Sequence, residues 1–200
     1  MKTITFGKTG LEVSRLAFGT WEFCSDWGHA DEDAAITMIR SARDLGINFF
    51  DTAQQYGFGA SERLLGKALR DDLARARDEV VIATKGGLRA TDSGLVRDAS
   101  PQWLRKGVES SLTALGIDHI DVYLVHWPDP RMPAAETAGR SRNWCRRARF
   151  GMSGCPTTTP RRWRSFRPRC RWRSCSRRIT CSGVTSRTRC CRMPASTTSG

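Results

Sequence analysis

The last 64 of the 200 residues contain no Asp, no Glu, no Lys and no Tyr, whereas the 136 before them hold all 20 acidic residues. Averages over the chain therefore mislead. Up to Glu136 there are 16 Lys+Arg against the 20 acids, a balance of −4; from Thr137 on there are 17 Arg and nothing to offset them. The formal charge of +13 and the pI near 10.2 belong to the tail alone. Cysteine is as uneven, since of eight only Cys24 lies in the head. That scarcity excludes a disulfide-stapled scaffold there and fits a reducing, cytoplasmic setting. Cys145, Cys155, Cys170, Cys175, Cys181, Cys190 and Cys191 form no C-x-x-C pair, and all three His lie upstream, so no metal site is expected. No run approaches the roughly 18 apolar residues that would span a bilayer, so no membrane partner is expected. No long apolar stretch follows Met1–Phe6, which argues against a secretory leader.

What the head has is alternation of short apolar strands with helical patterns, the mark of consecutive βα units on a parallel sheet. Met1–Phe6 and Leu11–Val13 read as a hairpin across Gly7–Gly10, and Arg15–Gly19 as a first buried strand. Ala35, Ile39 and Ala42 share one face of a helix over Glu32–Leu45, closed at Gly46. Ile47–Asp51 is the second strand, Ser61–Arg70 a short helix and Glu79–Thr84 the third strand. Ser100 as N-cap, with Pro101 at N1, starts a helix whose stripe is Leu104, Val108, Leu112 and Leu115. Gly116 ends it, and Ile120–Val125 is the fourth strand. Four such units suit half a (β/α)8 barrel or a doubly wound sheet of the same length.

Four polar residues stand where these strands end: Asp51 in Phe-Phe-Asp-Thr-Ala, Tyr56 in Gln-Gln-Tyr-Gly, Lys85 in Ala-Thr-Lys-Gly-Gly and His126 in Leu-Val-His-Trp. Singly, each has a bland explanation, for a strand-end Asp caps the next turn and a lone Tyr, Lys or His is commonly structural. Together, at the ends where a parallel barrel gathers its chemistry, they point to tuned acid–base work. A phenol with a pKa near 10 is a weak acid at neutral pH, and a neighbouring ammonium lowers it. Gly57-Phe58-Gly59 opens a G-x-G-x-x-G pattern that Glu62 breaks, so no dinucleotide fingerprint is read there.

These motifs resemble the aldo-keto reductase family. Phe6-Gly-Lys-Thr-Gly-Leu-Glu-Val-Ser-Arg-Leu-Ala-Phe-Gly-Thr-Trp21 is similar to its N-terminal hairpin and first strand. Asn48-Phe-Phe-Asp-Thr-Ala53, with Tyr56-Gly57 and Ser61-Glu62 beyond, is similar to its second strand and active-site loop. The resemblance covers residues 1 to about 138 and implies a (β/α)8 TIM barrel, here represented by its first four βα units. It further implies a catalytic set of Tyr56 as general acid, Lys85 lowering its pKa, Asp51 holding Lys85, and His126 orienting the carbonyl. NADPH is the implied hydride source, with its nicotinamide near Gly19, Thr20 and Trp21. Trp21 and Trp127 are expected to line the pocket of a small-molecule aldehyde or ketone. A catalytically silent relative acting as a channel-associated subunit is a weaker reading, and the intact set of four argues against it.

From residue 139 the barrel pattern stops, and an Arg/Cys-rich segment, expected to be disordered, runs to residue 200. One reading makes it a basic tail that binds nucleic acid without specificity. The other is a slip of reading frame. Taking the last base of each codon with the first two of the next, Asn143–Trp144 must give Leu and Trp144–Cys145 must give Val. Residues 142–159 can then read E-L-V-Q-E-G-K-V-R-H-V-G-V-S-N-Y-D, and 171–182 V-E-V-L-Q-P-P-Y-H-L-F. The first is similar to the family's fourth-helix end and fifth strand, the second to its sixth strand. The frame slip is the expected origin of the tail. Strands five to eight are then lost, and interior-facing strand positions are expected to meet water.

Overall fold

In the computed structural model, residues 1–7, 9–23, 31–133, 136–137 and 148–152 are described. The N-terminal alternation forms a hairpin, β1 (Thr3–Thr5) pairing antiparallel with β2 (Glu12–Ser14). Five strands then make one parallel sheet in the order β3 (Phe18–Gly19), β4 (Phe49–Asp51), β5 (Val81–Gly86), β8 (Ile120–Val125) and β9 (Ala148–Met152). The crossovers carry α1 (Glu32–Asp44), α2 (Ala60–Ala68) with α3 (Arg70–Arg75), and α4 (Pro101–Leu115). A second hairpin, β6 (Leu88–Thr91) with β7 (Gly94–Arg97), precedes α4.

Helix ends follow the local chemistry. The Asp31 carboxylate accepts from the Asp33 and Ala34 amides at the start of α1. Ser100 Oγ accepts from the Trp103 amide with Pro101 in the first turn of α4, and Gly116 closes that helix at φ 67°, where a Cβ would be strained. The apolar periodicity then decides the layers. Strand residues alternate between faces, so Phe50 and Ile82 meet Ile36, Ile39, Leu65 and Leu69 of the helical layer, while Tyr123 and Val125 meet Leu104, Val108 and Leu112 of α4. Each fully buried side chain of this kind contributes about 1.5–3 kcal/mol. Gly66 lets α2 and α4 touch, since a Cβ there would lie 2.4 Å from the Leu115 carbonyl oxygen.

The structure departs from the sequence pattern in several places. The first strand of the sheet is only Phe18–Gly19, and the helix expected over Ser61–Arg70 breaks at Leu69 into α2 and α3. The β6–β7 hairpin has no counterpart in the pattern, its alternation being hidden among polar residues. The inner face of the sheet meets water only in part: Gly19 is exposed and Asp51 half-buried, whereas its centre is covered. Ala83, Val122 and Leu124 are buried, with Phe6, Leu11 and Phe49 packed against them, because the N-terminal hairpin folds onto that face.

A fifth parallel strand exists as well, where only four were expected. Ala148–Met152 pairs with β8, with Tyr123 opposite Phe150 and Val125 opposite Met152. A ladder is built from backbone N–H and C=O groups that every non-proline residue carries, so an edge strand pairs with a segment outside the apolar pattern. The same five positions can read K-V-R-H-V in the alternative frame. Thr137, the first residue past the last acid, is buried and donates to the Ala99 carbonyl at 3.2 Å. The boundary expected at residue 138, the rest of the tail, Cys24 and the seven tail cysteines lie outside the described residues. Among the described residues no helix is long and apolar enough to cross a membrane.

Candidate active site

Register brings the polar strand ends together. Gly19, Asp51, Ala83 and Val122 lie side by side across β3, β4, β5 and β8. Lys85, two residues beyond Ala83, shares its face of the sheet. Its ammonium donates to Asp51 Oδ2 at 2.7 Å, to the Thr52 carbonyl oxygen at 3.0 Å and to Tyr56 Oη at 3.4 Å. Lys85 is only 8% exposed, and a buried ammonium is costly unless its donors are met. Three acceptors meet them, and Asp51 supplies the compensating charge. Because Tyr56 Oη accepts from Lys85, the phenolic proton is left to donate elsewhere.

Tyr56 is set by a tight loop. Its amide donates to the Ala53 carbonyl at 3.0 Å, and its own carbonyl accepts from the Ser61 amide at 3.2 Å. Gly59 donates to the Gln54 carbonyl at 2.8 Å, and Gln54 donates to the Lys85 carbonyl at 2.9 Å, which ties the loop to β5. Gly59 occupies the left-handed region at φ 87°, and Phe58, at φ 48°, is the single non-glycine described residue with positive φ. The glycines of the broken G-x-G pattern thus shape the loop that leads into α2.

His126 follows β8 and donates its amide to the Gly86 carbonyl at 2.8 Å. Its ring meets that of Tyr56 edge to face, with centroids 5.7 Å apart, and stacks on Trp127 at 6.3 Å. Burial, helped by the Lys85 cation, pulls the imidazole down to about 4. It is therefore neutral at physiological pH and can donate a hydrogen bond without bringing a second cation beside Lys85.

The remaining expected positions divide. Trp127 stands at the rim, 36% exposed, with the Arg97 guanidinium of β7 5.4 Å from its ring centroid. Trp21 is 54% exposed in a short 3-10 turn, Trp21–Phe23. Gly19 is exposed, and a Cβ added there would meet nothing within 4 Å. Thr20 is buried and turned the other way, its hydroxyl 2.7 Å from Ser61 Oγ. Sequence reasoning missed Arg97, because the β6–β7 hairpin was not foreseen. Ser61, Glu62 and Thr84 stand in motifs that the sequence singles out, but no role behind the site was read for these buried polar residues. A signal for Thr84 was present: a Thr adjoins the site residue at each of three strand ends, in Gly19-Thr20, Asp51-Thr52 and Thr84-Lys85.

The arrangement is one in which a cation and a phenol share a hydrogen bond beside a neutral imidazole, at the mouth of a parallel sheet. The model of the aldo/keto reductase family matches residues 15–141. The chain is 44% identical over 139 residues to aldo-keto reductase YhdN of Bacillus subtilis, covering 69% of this chain and 41% of that protein. It is 38% identical over 153 residues to the NADH-specific methylglyoxal reductase of Escherichia coli, covering 68% of this chain and 46% of that one. Among solved structures, the glycerol dehydrogenase AKR11B4 from Gluconobacter oxydans superimposes with a TM-score of 0.68 at 32% identity, over 82% of this chain and 51% of that one. The chain thus spans about half the length, or less, of the proteins it matches, and it belongs to the aldo-keto reductase family.

Proposed function

We propose that residues 1–138 are the substrate-activating half of an NADPH-dependent reductase of small aldehydes or ketones. The observation that carries this reading is the chain of contacts from Asp51 through Lys85 to Tyr56, with neutral His126 against the phenol. A carbonyl oxygen placed between Tyr56 and His126 accepts a hydrogen bond from each. Tyr56 gives up its proton as negative charge develops on that oxygen, and the Lys85 ammonium stabilises the phenolate left behind. Asp51 holds the ammonium in place. Trp127 and Trp21 offer apolar walls for the substrate.

The donor set fits a nicotinamide on chemical grounds. Its groups hold and move protons, and none of the four can give two electrons to a carbonyl. The chemistry that a reduced nicotinamide supplies when bound is hydride delivery to the carbonyl carbon. Gly19 and Trp21 would border it, with Thr20 supporting that turn from behind. We take NADPH as the cofactor, although the Escherichia coli relative is named for NADH, so both are measured in the test. Its phosphate and adenosine contacts are assigned to the half of the barrel that the frame slip removes. The segment 139–200 is, on this reading, an out-of-frame tail without a function of its own, in a cytoplasmic protein.

The test is made in the frame-restored enzyme. Tyr56→Phe should lower carbonyl turnover by roughly 10²–10⁴ with little change in nicotinamide affinity, measured by fluorescence titration with NADPH and NADH. Full turnover by Tyr56→Phe would refute the assignment.

A further inference from the structure

Behind the site, on the sheet face turned to the helices, runs a row of buried polar side chains. One residue past the register row Gly19–Asp51–Ala83–Val122 stand Thr20, Thr52, Thr84 and Tyr123, none of which exposes any surface. The first turn of α2 docks on this row through two consecutive buried residues. Ser61 Oγ lies 2.7 Å from Thr20 Oγ1 and 3.2 Å from Thr52 Oγ1. Glu62 accepts from Thr84 Oγ1 at 2.6 Å.

Packing alone does not explain a carboxyl at position 62. Burying one is costly where an apolar side chain would fill the same space. Glu62 Oε2 is buried with no hydrogen-bond partner among the described residues. Burial pushes the carboxyl above its ordinary value of 4.5, and the Thr84 hydroxyl bond offsets this only in part. What Glu62 does grip is the residue next to Lys85.

We propose that Glu62, acting through Thr84, is a positioning residue that fixes the end of β5 so that the Lys85 ammonium stays on Tyr56 Oη. Thr84 and Lys85 point to opposite faces of the strand. Anchoring the Thr84 hydroxyl to α2 therefore fixes the rotation of β5 about its own axis, and with it the direction of Lys85. The contact to be protected is sensitive. At 3.4 Å the Lys85–Tyr56 hydrogen bond is already long, and a small rotation of the strand would open it. The same turn of α2 holds the Tyr56 carbonyl through the Ser61 amide at 3.2 Å, so both members of the pair are referred to one helix end. This inference rests on the reading of Lys85 and Tyr56 as an acid pair.

The chain has two tyrosines, which makes a direct test possible without turnover. The full 200-residue chain, labelled with ¹³C at the tyrosine ζ carbon, gives two lines, and Tyr123→Phe assigns them. Lys85→Met fixes where the Tyr56 line falls when no ammonium lies against the phenol. Thr84→Val and Glu62→Ala should each move the Tyr56 line towards the Lys85→Met position at neutral pH. Glu62→Gln, which keeps an acceptor for Thr84, should leave it at the parent position. Circular dichroism checks that each variant is folded; if Glu62→Ala is not, Thr84→Val decides. A Tyr56 line that stays at the parent position in folded Thr84→Val, while Lys85→Met moves it, overturns the positioning role and leaves the acid pair standing. A line that Lys85→Met itself fails to move refutes the acid pair, and the positioning role with it.

Discussion

The Lys85 ammonium reaches the Asp51 carboxylate at 2.7 Å across two adjacent parallel strands, although register sets Asp51 opposite Ala83 rather than opposite Lys85. The offset of one side-chain repeat is spanned by the length of the lysine, whose tip is thereby delivered to the end of the sheet where Tyr56 waits. Asp51 is the more open partner, its side chain keeping 36% of its surface against 10% for Lys85.

Asp51→Asn should therefore cost stability as well as activity. A hydrogen bond to a charged group is worth about 1.5–3 kcal/mol, and the exposure of Asp51 trims this to about 1–2 kcal/mol. Urea unfolding of the 200-residue chain measures it. The double variant Asp51→Asn with Lys85→Met should cost less than the two single changes added together, because it leaves no buried cation unpaired. Strict additivity would show that the two groups do not interact in solution.

His126 gives a pH dependence whose sign can be worked out. Its folded-state value of about 4 lies below the ordinary 6.5, so between these the unfolded chain binds the proton and the folded one does not. Stability is then fully present above 6.5 and is lost as pH falls towards 4, by up to roughly 3 kcal/mol at 1.36 kcal/mol per pH unit. Stability compared between parent and His126→Gln from pH 7 to pH 4 should show the parent losing ground throughout that window. Parallel curves would place the imidazole in water.

Gly86→Ala should be destabilising, for a reason outside the four site residues. A Cβ at position 86 would fall 1.9 Å from Tyr123 Oη and 2.9 Å from Tyr123 Cζ. Overpacking of this kind costs about 1–3 kcal/mol. Placing Gly86→Ala on a Tyr123→Phe background removes the nearer clash and should restore part of the lost melting temperature. An equal drop on both backgrounds would mean that the backbone, not the tyrosine, resists the change.

The coding DNA should carry one nucleotide too few, or two too many, near the codons for Thr137–Gly139. The Leu and Val forced by Asn143, Trp144 and Cys145 set the downstream limit. Resequencing decides it, since clean DNA encoding the tail as written would defeat the frame slip.

The sequence by itself determined the head's repeating βα units, its helix caps and the four residues that meet at the site. These follow from periodicity, from local capping chemistry at Ser100 and Gly116, and from motifs around Asp51, Tyr56, Lys85 and His126, all readable over a few neighbouring residues. Only the tertiary structure decided what depends on residues far apart in the chain. That the centre of the inner sheet face is covered depends on Phe6 and Leu11 packing against Ala83, Val122 and Leu124, a contact to which strand alternation is blind. The fifth strand depends on the open edge of β8, which pairs through backbone groups whatever side chains follow. The grip of Glu62 on Thr84 needs α2 laid against a row of hydroxyls from several strands. No local pattern marks a buried carboxyl in advance, because an amphipathic helix normally turns a glutamate to water, and burial is settled only once the partner surface has assembled.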